Sequence, residues 1–325
     1  MLMAAGLGTR LYPFTRTVPK SMVPVFGIPL VEFAVEPCLA AGVRSFVANL
    51  HSLPAETESG LKSLNWAGAS LSFSDEREKL LGSAGGLKKA EKLLGEGPFF
   101  LVNADVVNEV DFAALFRHHE RLRAQWGVTI TLSVKPVAPG SGKYREILLD
   151  TERGLISGIG EPRIGRPVFV SAAVMEAEVL RGLPEDEVLE TLPLIFKPAI
   201  AAGKAAYFLT DGIWLDVGSP RLWLEAHLEL LDRLETGRIA PWIRRKIEAK
   251  NRRIGERVWV SERVSPRALR RLPSEALCGP LYLGELPDAR DVVYGPRAVW
   301  YGHKRSGAVE HKDGIGYGGV WVSTP

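Results

Sequence analysis

The chain has 325 residues, 46% of them hydrophobic and 24% charged, with a formal net charge of +3. That composition is ordinary for a globular protein and suffices for a large core and two domains. The near-balanced charge exerts no global pull on nucleic acid. Cys38 and Cys278 form no C-x-x-C pair, which argues against a disulfide framework and a thiolate metal site. No apolar run approaches the ~18 residues of a membrane span. The chain enters a strand at once and leaves no room for a signal peptide, so a cytoplasmic protein is expected.

The first notable stretch is Met3-Ala4-Ala5-Gly6-Leu7-Gly8-Thr9-Arg10. It begins with small apolar residues, as the end of a buried strand does, then turns through two glycines to an arginine. Lys20 follows just behind Pro19. Successive backbone N–H groups in such a turn form an anion-binding concavity, and an Arg and a Lys beside it suit a polyphosphate. A dinucleotide fingerprint would need a third glycine where Leu11 stands, and a Walker-type loop would need Lys directly after Gly8, where Thr9 stands.

Further along, Leu30, Phe33, Ala34, Pro37, Cys38 and Ala41 recur at helical spacing, so residues 27–42 read as a helix, kinked by Pro37 and capped at Gly42. Strands are predicted at 45–50, 69–74 and 98–103, with helices at 54–64 and 84–94 between them. This alternation with short links implies a parallel sheet covered on both faces, with ligands at the carboxyl ends of its strands. The Gly6 turn and Asp105 both follow such ends. Gly82, Gly85 and Gly86 open the helix at 84–94, where bare backbone can approach a base or ribose closely. Ser83 is a candidate N-cap. Glu76 or Glu78 could read a base edge or simply sit on the surface, and the pattern does not choose between these readings.

Asp111 starts a capped helix carrying His118 and His119, neither with a partner at metal-ligand spacing. A strand at 127–135 precedes a hairpin, 144–149 with 155–161, and then a strand at 168–173. Leu222, Leu224, Leu228 and Leu231 mark a helix over 220–234. Residues 242–250 are basic and helical. Beyond Ile254 short apolar runs are punctuated by Gly and Pro, as at Leu281–Gly284, Val292–Pro296 and Val299–Gly302.

The pattern A-A-G-x-G-T-R-L-x-P-x-T-x-x-x-P-K from Ala4 to Lys20 resembles the signature loop of the sugar-1-phosphate nucleotidyltransferases, with Phe14 where the family has Leu. Gly82–Lys88 is similar to the family's G-T-A-G segment beside the base and ribose. Asn103-Ala104-Asp105 resembles its N-G-D, and Trp214–Pro220 its W-x-D-x-G-T-P. Family members have more residues before the A-A-G turn than Met1, Leu2 and Met3, so either a short first strand or a start that lies upstream is expected.

By this resemblance the fold is a doubly wound, Rossmann-like α/β domain with a mixed, mostly parallel sheet over 1–235. A basic helical linker (236–254) and a β-rich appendage (255–325) follow, the latter similar to a degenerate left-handed β-helix. The implied reaction is Mg²⁺-dependent transfer of a nucleotidyl group from an NTP to a hexose 1-phosphate. Arg10 and Lys20 take the catalytic roles. Ala4, Ala5, Gly6, Gly8, Thr9, Gly85, Gly86 and Asn103 contact the nucleotide, and Asp105 and Asp216 bind the metal. Glu161, Arg163 and Ser171 take the sugar, although Arg145 replaces a usual glycine and Glu161-Pro162-Arg163 a usual E-K-P. The Asn49–His51, Met22–Val25 and Leu80–Gly85 segments look most like the mannose-1-phosphate guanylyltransferase branch. GTP with mannose 1-phosphate is the expected pair; glucose or amino-sugar 1-phosphates with dTTP, UTP or ATP remain open. So does a non-catalytic regulatory homologue that binds a nucleotide sugar. Neither nucleic acid nor membrane is an expected partner. Trp300, Tyr301, Tyr317 and Trp321 suit either a small core for the C-terminal domain or a homodimer contact through it, the second being the expected one.

Overall fold

The computed structural model describes residues 1–136, 144–264, 266–269, 281–284, 293–294, 298–301, 310–311, 314–317 and 320–323. The chain forms two compact units. The first comprises Met1–Gly6 and Val31–Trp214, the second Leu7–Leu30 and Leu215–Pro325. The division lies elsewhere than a cut at residue 235, because the signature loop beyond Gly6 groups with the C-terminal part of the chain.

The first unit is built on a nine-stranded sheet. Its strands are β1 (Leu2–Met3), β2 (Ser45–Leu50), β3 (Ser70–Asp75), β4 (Phe99–Asn103), β5 (Ile130–Pro136), β6 (Arg145–Asp150), β7 (Leu155–Pro162), β8 (Pro167–Met175) and β9 (Ala205–Leu209). They lie in the order β3-β2-β1-β4-β8-β5-β9-β7-β6. From β3 to β4 every pair is parallel, with Leu2 opposite both Ala48 and Val102. Beyond β4 the pairing is antiparallel except between β5 and β9. The expectation of a mostly parallel sheet therefore holds only for the first half. β8 returns between β4 and β5 in the opposite sense, and the 145–162 hairpin adds antiparallel edge strands.

Alternation along β5 shows how both faces are covered. Ile130, Leu132 and Val134 pack into one core with Ala84, Leu87 and Ala90 of helix Gly82–Leu94. Thr131, pointing the other way, meets His119 of helix Phe112–Trp126 at 2.8 Å. Asp111 caps that helix, accepting from the Ala114 N–H at 2.8 Å. Glu176 accepts from or pairs with both His119 Nε2 (3.0 Å) and Arg123 Nε (3.1 Å). His119 thus bolts helix to sheet, and burial pushes its pKa down.

In the second unit, Pro24–Val25 and Ile28–Pro29 form a two-residue hairpin whose turn residues, Phe26 (φ 50°) and Gly27 (φ 71°), are both left-handed. This hairpin occupies the start of the helix expected at 27–42, which runs instead over Glu32–Ala40 with Pro37 inside it. Helix Pro220–Thr236 starts from Ser219, whose Oγ accepts from the Leu222 N–H, with Pro220 at its first position. Helix Pro241–Lys250 follows. Strand Asn251–Gly255 pairs antiparallel with Val258–Ser261. From there a parallel ladder runs through Leu281–Leu283, Ala298–Tyr301 and Gly314–Tyr317, and a separate parallel pair joins Val293–Tyr294 to Glu310–His311. Cys278, Val292, Gly295, Pro296 and Gly302 lie outside the described residues, as do the side chains of Trp300, Tyr301, Tyr317 and Trp321. Among the described residues no helix is long and apolar enough to cross a membrane.

Candidate active site

The first-unit part of the signature loop is Ala4-Ala5-Gly6, at the carboxyl end of β1. Ala4 and Ala5 are buried, and their N–H groups both donate to Asn49 Oδ1, at 2.7 and 3.1 Å. Asn49 Nδ2 donates in turn to Glu76 Oε1 at 2.7 Å, while Glu76 Oε2 accepts from the Leu81 N–H at 3.0 Å. Glu76 is 1% exposed with both oxygens engaged, so it is not the residue that reads a base edge. Glu78 is exposed.

Helix Gly82–Leu94 needs its glycines for packing as well. A Cβ at Gly85 would overlap the Glu187 carbonyl oxygen, one at Gly82 would lie 2.6 Å from the Leu189 oxygen, and one at Gly86 2.7 Å from Glu76 Oε1. Ser83 is not an N-cap. Its hydroxyl donates to Glu190 Oε2 at 2.6 Å and accepts from the Thr191 N–H at 2.8 Å. Asn103 ends β4, and Asp105 sits half-buried two residues on, after buried Ala104.

In the second unit the motif's spacing has a structural cause. Gly8 is left-handed (φ 62°), its carbonyl accepts from Thr15 Oγ1 at 2.7 Å, and a Cβ there would touch Thr15 at 3.0 Å. Arg10 is exposed on the short turn Thr9–Leu11, and Lys20 is half-buried on the turn Lys20–Met22. Arg10 Nη2 and Asp216 Oδ1 each lie 2.9 Å from where a Cβ of Gly218 would stand. The arginine and the carboxylate therefore flank one bare backbone position. A side chain at residue 218 would part them, which explains the glycine of the Asp216-Val217-Gly218-Ser219 run.

The hairpin behind these residues is clasped by groups that the sequence reading did not single out. The Phe26 N–H donates to His227 Nε2 (3.2 Å), and the Phe26 carbonyl accepts from Asn251 Nδ2 (2.9 Å). Tyr282 donates to Asn251 Oδ1 at 2.9 Å and stacks on His227 at 5.6 Å between ring centroids. Trp223 Nε1 donates to the Pro24 carbonyl at 2.7 Å. Because His227 Nε2 accepts, its proton sits on Nδ1 and goes to the Trp223 carbonyl at 2.9 Å. Complete burial pushes the His227 pKa down to about 3.

The residues assigned to the sugar lie in the first unit, on β7 and β8 and the turn between them. The two departures from the family pattern meet there: Arg145 Nη1 pairs with Glu161 Oε1 at 3.3 Å, both exposed. Arg163 and Arg166 approach buried Glu146 at 4.0 and 3.5 Å, a carboxylate that sequence reasoning missed. Ser171 is buried and left-handed (φ 66°), within a register shift of β8 between Phe169 and Ala173. A bulge of this kind re-aims a side chain out of the regular pleat.

A cavity of about 270 Å³ lies at the amino ends of β1, β2 and β4, lined by residues such as Leu2, Cys38, Phe46 and Phe99. It is at the wrong end of the strands for this site. Burial raises the Cys38 thiol to about 12, leaving it unreactive.

Residues 1–145 match the family model described as Nucleotidyl transferase. The chain is 31% identical over 240 residues to an N-acetylmuramate alpha-1-phosphate uridylyltransferase of Caulobacter vibrioides, a match covering 71% of this chain and 96% of that protein. It is also 31% identical over 232 residues to a mannose-1-phosphate guanyltransferase of Yarrowia lipolytica, covering 69% of this chain and 61% of the relative, less than two thirds of its length. Among solved structures, a UDP-glucose pyrophosphorylase from Acinetobacter baumanii shares the fold at TM-score 0.59 and 19% identity, over 76% of this chain and 96% of that one. Motif, fold and relatives agree: this chain belongs to the sugar-1-phosphate nucleotidyltransferases and is an enzyme of that class.

Proposed function

We propose that the chain makes a nucleotide sugar from GTP and mannose 1-phosphate, releasing pyrophosphate, in a magnesium-dependent reaction. The observation that carries the mechanism is that Arg10 and Asp216 both reach the bare backbone of Gly218. A sugar-phosphate oxygen attacks the α-phosphorus of the NTP, the bond from that phosphorus to the bridging oxygen breaks, and pyrophosphate leaves with the electron pair. The nucleophile is already an anion, so no general base is needed. Catalysis is then positioning and charge stabilisation. Arg10 holds the departing β/γ-phosphates, and Lys20 pins phosphate oxygens at the reacting end. Ala4, Ala5, Gly6, Gly8, Thr9 and Asn103 offer the nucleotide a close backbone approach, with Gly85 and Gly86 behind them.

Asp105 in the first unit and Asp216 in the second each supply hard carboxylate oxygens, the donor type magnesium prefers. On the Gly218 side the Asp216 oxygen shares its space with the Arg10 guanidinium. Magnesium would supply charge neutralisation at the α-phosphate. Glu161, Arg163 and Ser171 take the sugar end, with Arg163 partly balanced by Glu146.

A second pair, UTP with N-acetylmuramate α-1-phosphate, draws support from the Caulobacter relative, which the match covers almost end to end. The parallel strands of the C-terminal region support reading it as a degenerate β-helix, left-handed by the family resemblance. Its aromatic residues are assigned to a homodimer contact. A cytoplasmic location is part of this proposal. Pyrophosphate release, measured over a grid of NTPs and sugar 1-phosphates with and without Mg²⁺, tests the reading. One preferred pair that needs Mg²⁺ and is lost in Asp105→Asn is expected. Nucleotide-sugar binding with a silent grid would defeat it.

A further inference from the structure

Two backbone segments assigned to the nucleotide, Ala4–Gly6 and Leu81–Gly86, are joined inside the first unit by a short buried relay. The Ala4 and Ala5 N–H groups donate to Asn49 Oδ1, Asn49 Nδ2 donates to Glu76 Oε1, and the Leu81 N–H donates to Glu76 Oε2. Asn49 and Glu76 are each 1% exposed. Gly86 closes the relay from the helix side, since any Cβ there would lie 2.7 Å from Glu76 Oε1 and 3.2 Å from Asn49 Nδ2. The His51 ring supports the far side, with Nδ1 2.7 Å from the Glu76 carbonyl oxygen.

The relay has a fixed direction. Two backbone donors require the oxygen of Asn49 at one end, so its NH₂ must face Glu76. Glu76 must then accept at both oxygens. A carboxylate serves here because it is an acceptor without a competing donor. Charge-assisted bonds to a buried carboxylate are also stronger than neutral ones, which offsets the cost of burying it.

We propose that Asn49 and Glu76 are positioning residues. They lock the β1 turn and the start of the glycine-rich helix into one rigid cradle, and so govern how the NTP is held rather than how the sugar phosphate is held. The proposal rests on the assignment of these two segments to the nucleotide.

The relay's direction supplies its own test. Glu76→Gln puts an NH₂ against a donor, and Asn49→Asp puts two carboxylates face to face. The double variant, Asn49→Asp with Glu76→Gln, reverses only the middle link. The new carboxylate at position 49 would accept from the Ala4 and Ala5 N–H groups and from the new amide NH₂ at position 76. The amide oxygen at position 76 would accept from the Leu81 N–H, with the charge unchanged. Each single variant is expected to raise KM for the NTP about 10-fold or more, the effect of one lost buried hydrogen bond. KM for the sugar phosphate should stay within about twofold. The double variant should return to within about threefold of the parent, whereas a merely disruptive substitution would only get worse when doubled.

Hydrogen-exchange mass spectrometry on peptides covering residues 1–8 and 77–87 reads the same coupling without turnover. Glu76→Gln should loosen both peptides together. If Asn49→Asp does not fold, Asn49→Ala, which removes the acceptor of the Ala4 and Ala5 N–H groups, should loosen both peptides and give the same NTP-selective defect. Protection lost only in 77–87, or a double variant no better than the worse single, overturns the relay. A parent protein silent over the whole substrate grid would defeat the functional reading instead, and the exchange result would still decide the coupling.

Discussion

Each compact unit fixes one stretch of backbone with a clamp, and the two clamps are of opposite chemistry: the first holds the start of the signature motif, the second the Phe26 turn that follows the motif's end. In the first unit the clamp is charged and linear: two backbone amides, Asn49, the Glu76 carboxylate and a third backbone amide. In the second it is neutral and aromatic: Trp223, His227, Asn251 and Tyr282 surround the Phe26 turn. The first clamp is made from residues of adjacent strands and can be short. The second must hold a non-glycine residue at φ 50°, a conformation costing on the order of 1–3 kcal/mol that persists only where its surroundings over-determine it. It satisfies both the N–H and the carbonyl of that residue and packs its ring 4.7 Å from Tyr282. The two clamps divide the work: polar groups fix the amides in the first, and packing fixes the path of the chain in the second.

The difference can be broken most severely at Trp223, which is fully buried and packs edge-on against Phe14 at 5.3 Å. Trp223→Ala should cost about 3–5 kcal/mol of stability, read as a lower urea midpoint. A cost below ~1 kcal/mol would mean that the aromatic clamp is not the second unit's anchor. Next in size, Arg10→Ala removes a charge that the clamps only position. It should lower kcat by about 10²–10³ while leaving the melting temperature unchanged, since Arg10 is exposed. A matching loss of stability would mean that Arg10 is part of the support.

The pH dependence separates the clamps further. His227 has a folded pKa lowered to about 3 by burial, from an ordinary 6.5. As pH falls below that ordinary value, the unfolded chain takes up the proton first and stability declines. The decline continues until the folded-state value is reached, by up to about 1.4 kcal/mol per pH unit. His119, shifted in the same direction by burial, adds to the slope. His227→Gln should flatten the decline without abolishing it; an unchanged slope would remove His227 from the account. The smallest effect belongs to the solvent-exposed Arg145–Glu161 pair. Glu161→Gln should alter stability by less than ~1 kcal/mol yet raise KM for the sugar phosphate. Unchanged kinetics would take Glu161 out of the sugar site.

What was legible in the sequence was local. The 145–162 hairpin, the Asp111 cap and the strand–helix alternation through β4 each rest on neighbours in the chain, and the structure contains all of them. The run from Ala4 to Lys20 carried the family because its residues are constrained together, as the Thr15 bond to Gly8 illustrates. What escaped was set by distant partners. Phe26 meets His227 across 201 positions, and a left-handed Phe gives no turn signal of the Asn-Gly kind. Glu76 has the sequence neighbours of a surface carboxylate able to read a base, because nothing near it announces that Asn49 and Leu81 use up its oxygens. Strand Ile28–Pro29 is hidden for the same reason: apolar spacing at 30, 33 and 34 extends the helix pattern backward, and only tertiary packing shows the turn. The antiparallel place of β8 was hidden because it inserts between β4 and β5, which both precede it in the chain.

The clasp around Phe26 also bears on how such proteins can be recombined. It draws on Trp223 and His227 from one helix, Asn251 from the strand after the next helix, and Tyr282 from the parallel ladder. A chimera joined between helix Pro241–Lys250 and its successor strand would inherit the turn without Asn251 and Tyr282. The Phe26 carbonyl and the face of its ring would then need a new cover. Exchange of C-terminal modules in this lineage is therefore constrained at the seam: an incoming tail must bring an amide donor and a flat ring, or the hairpin tip must change with it.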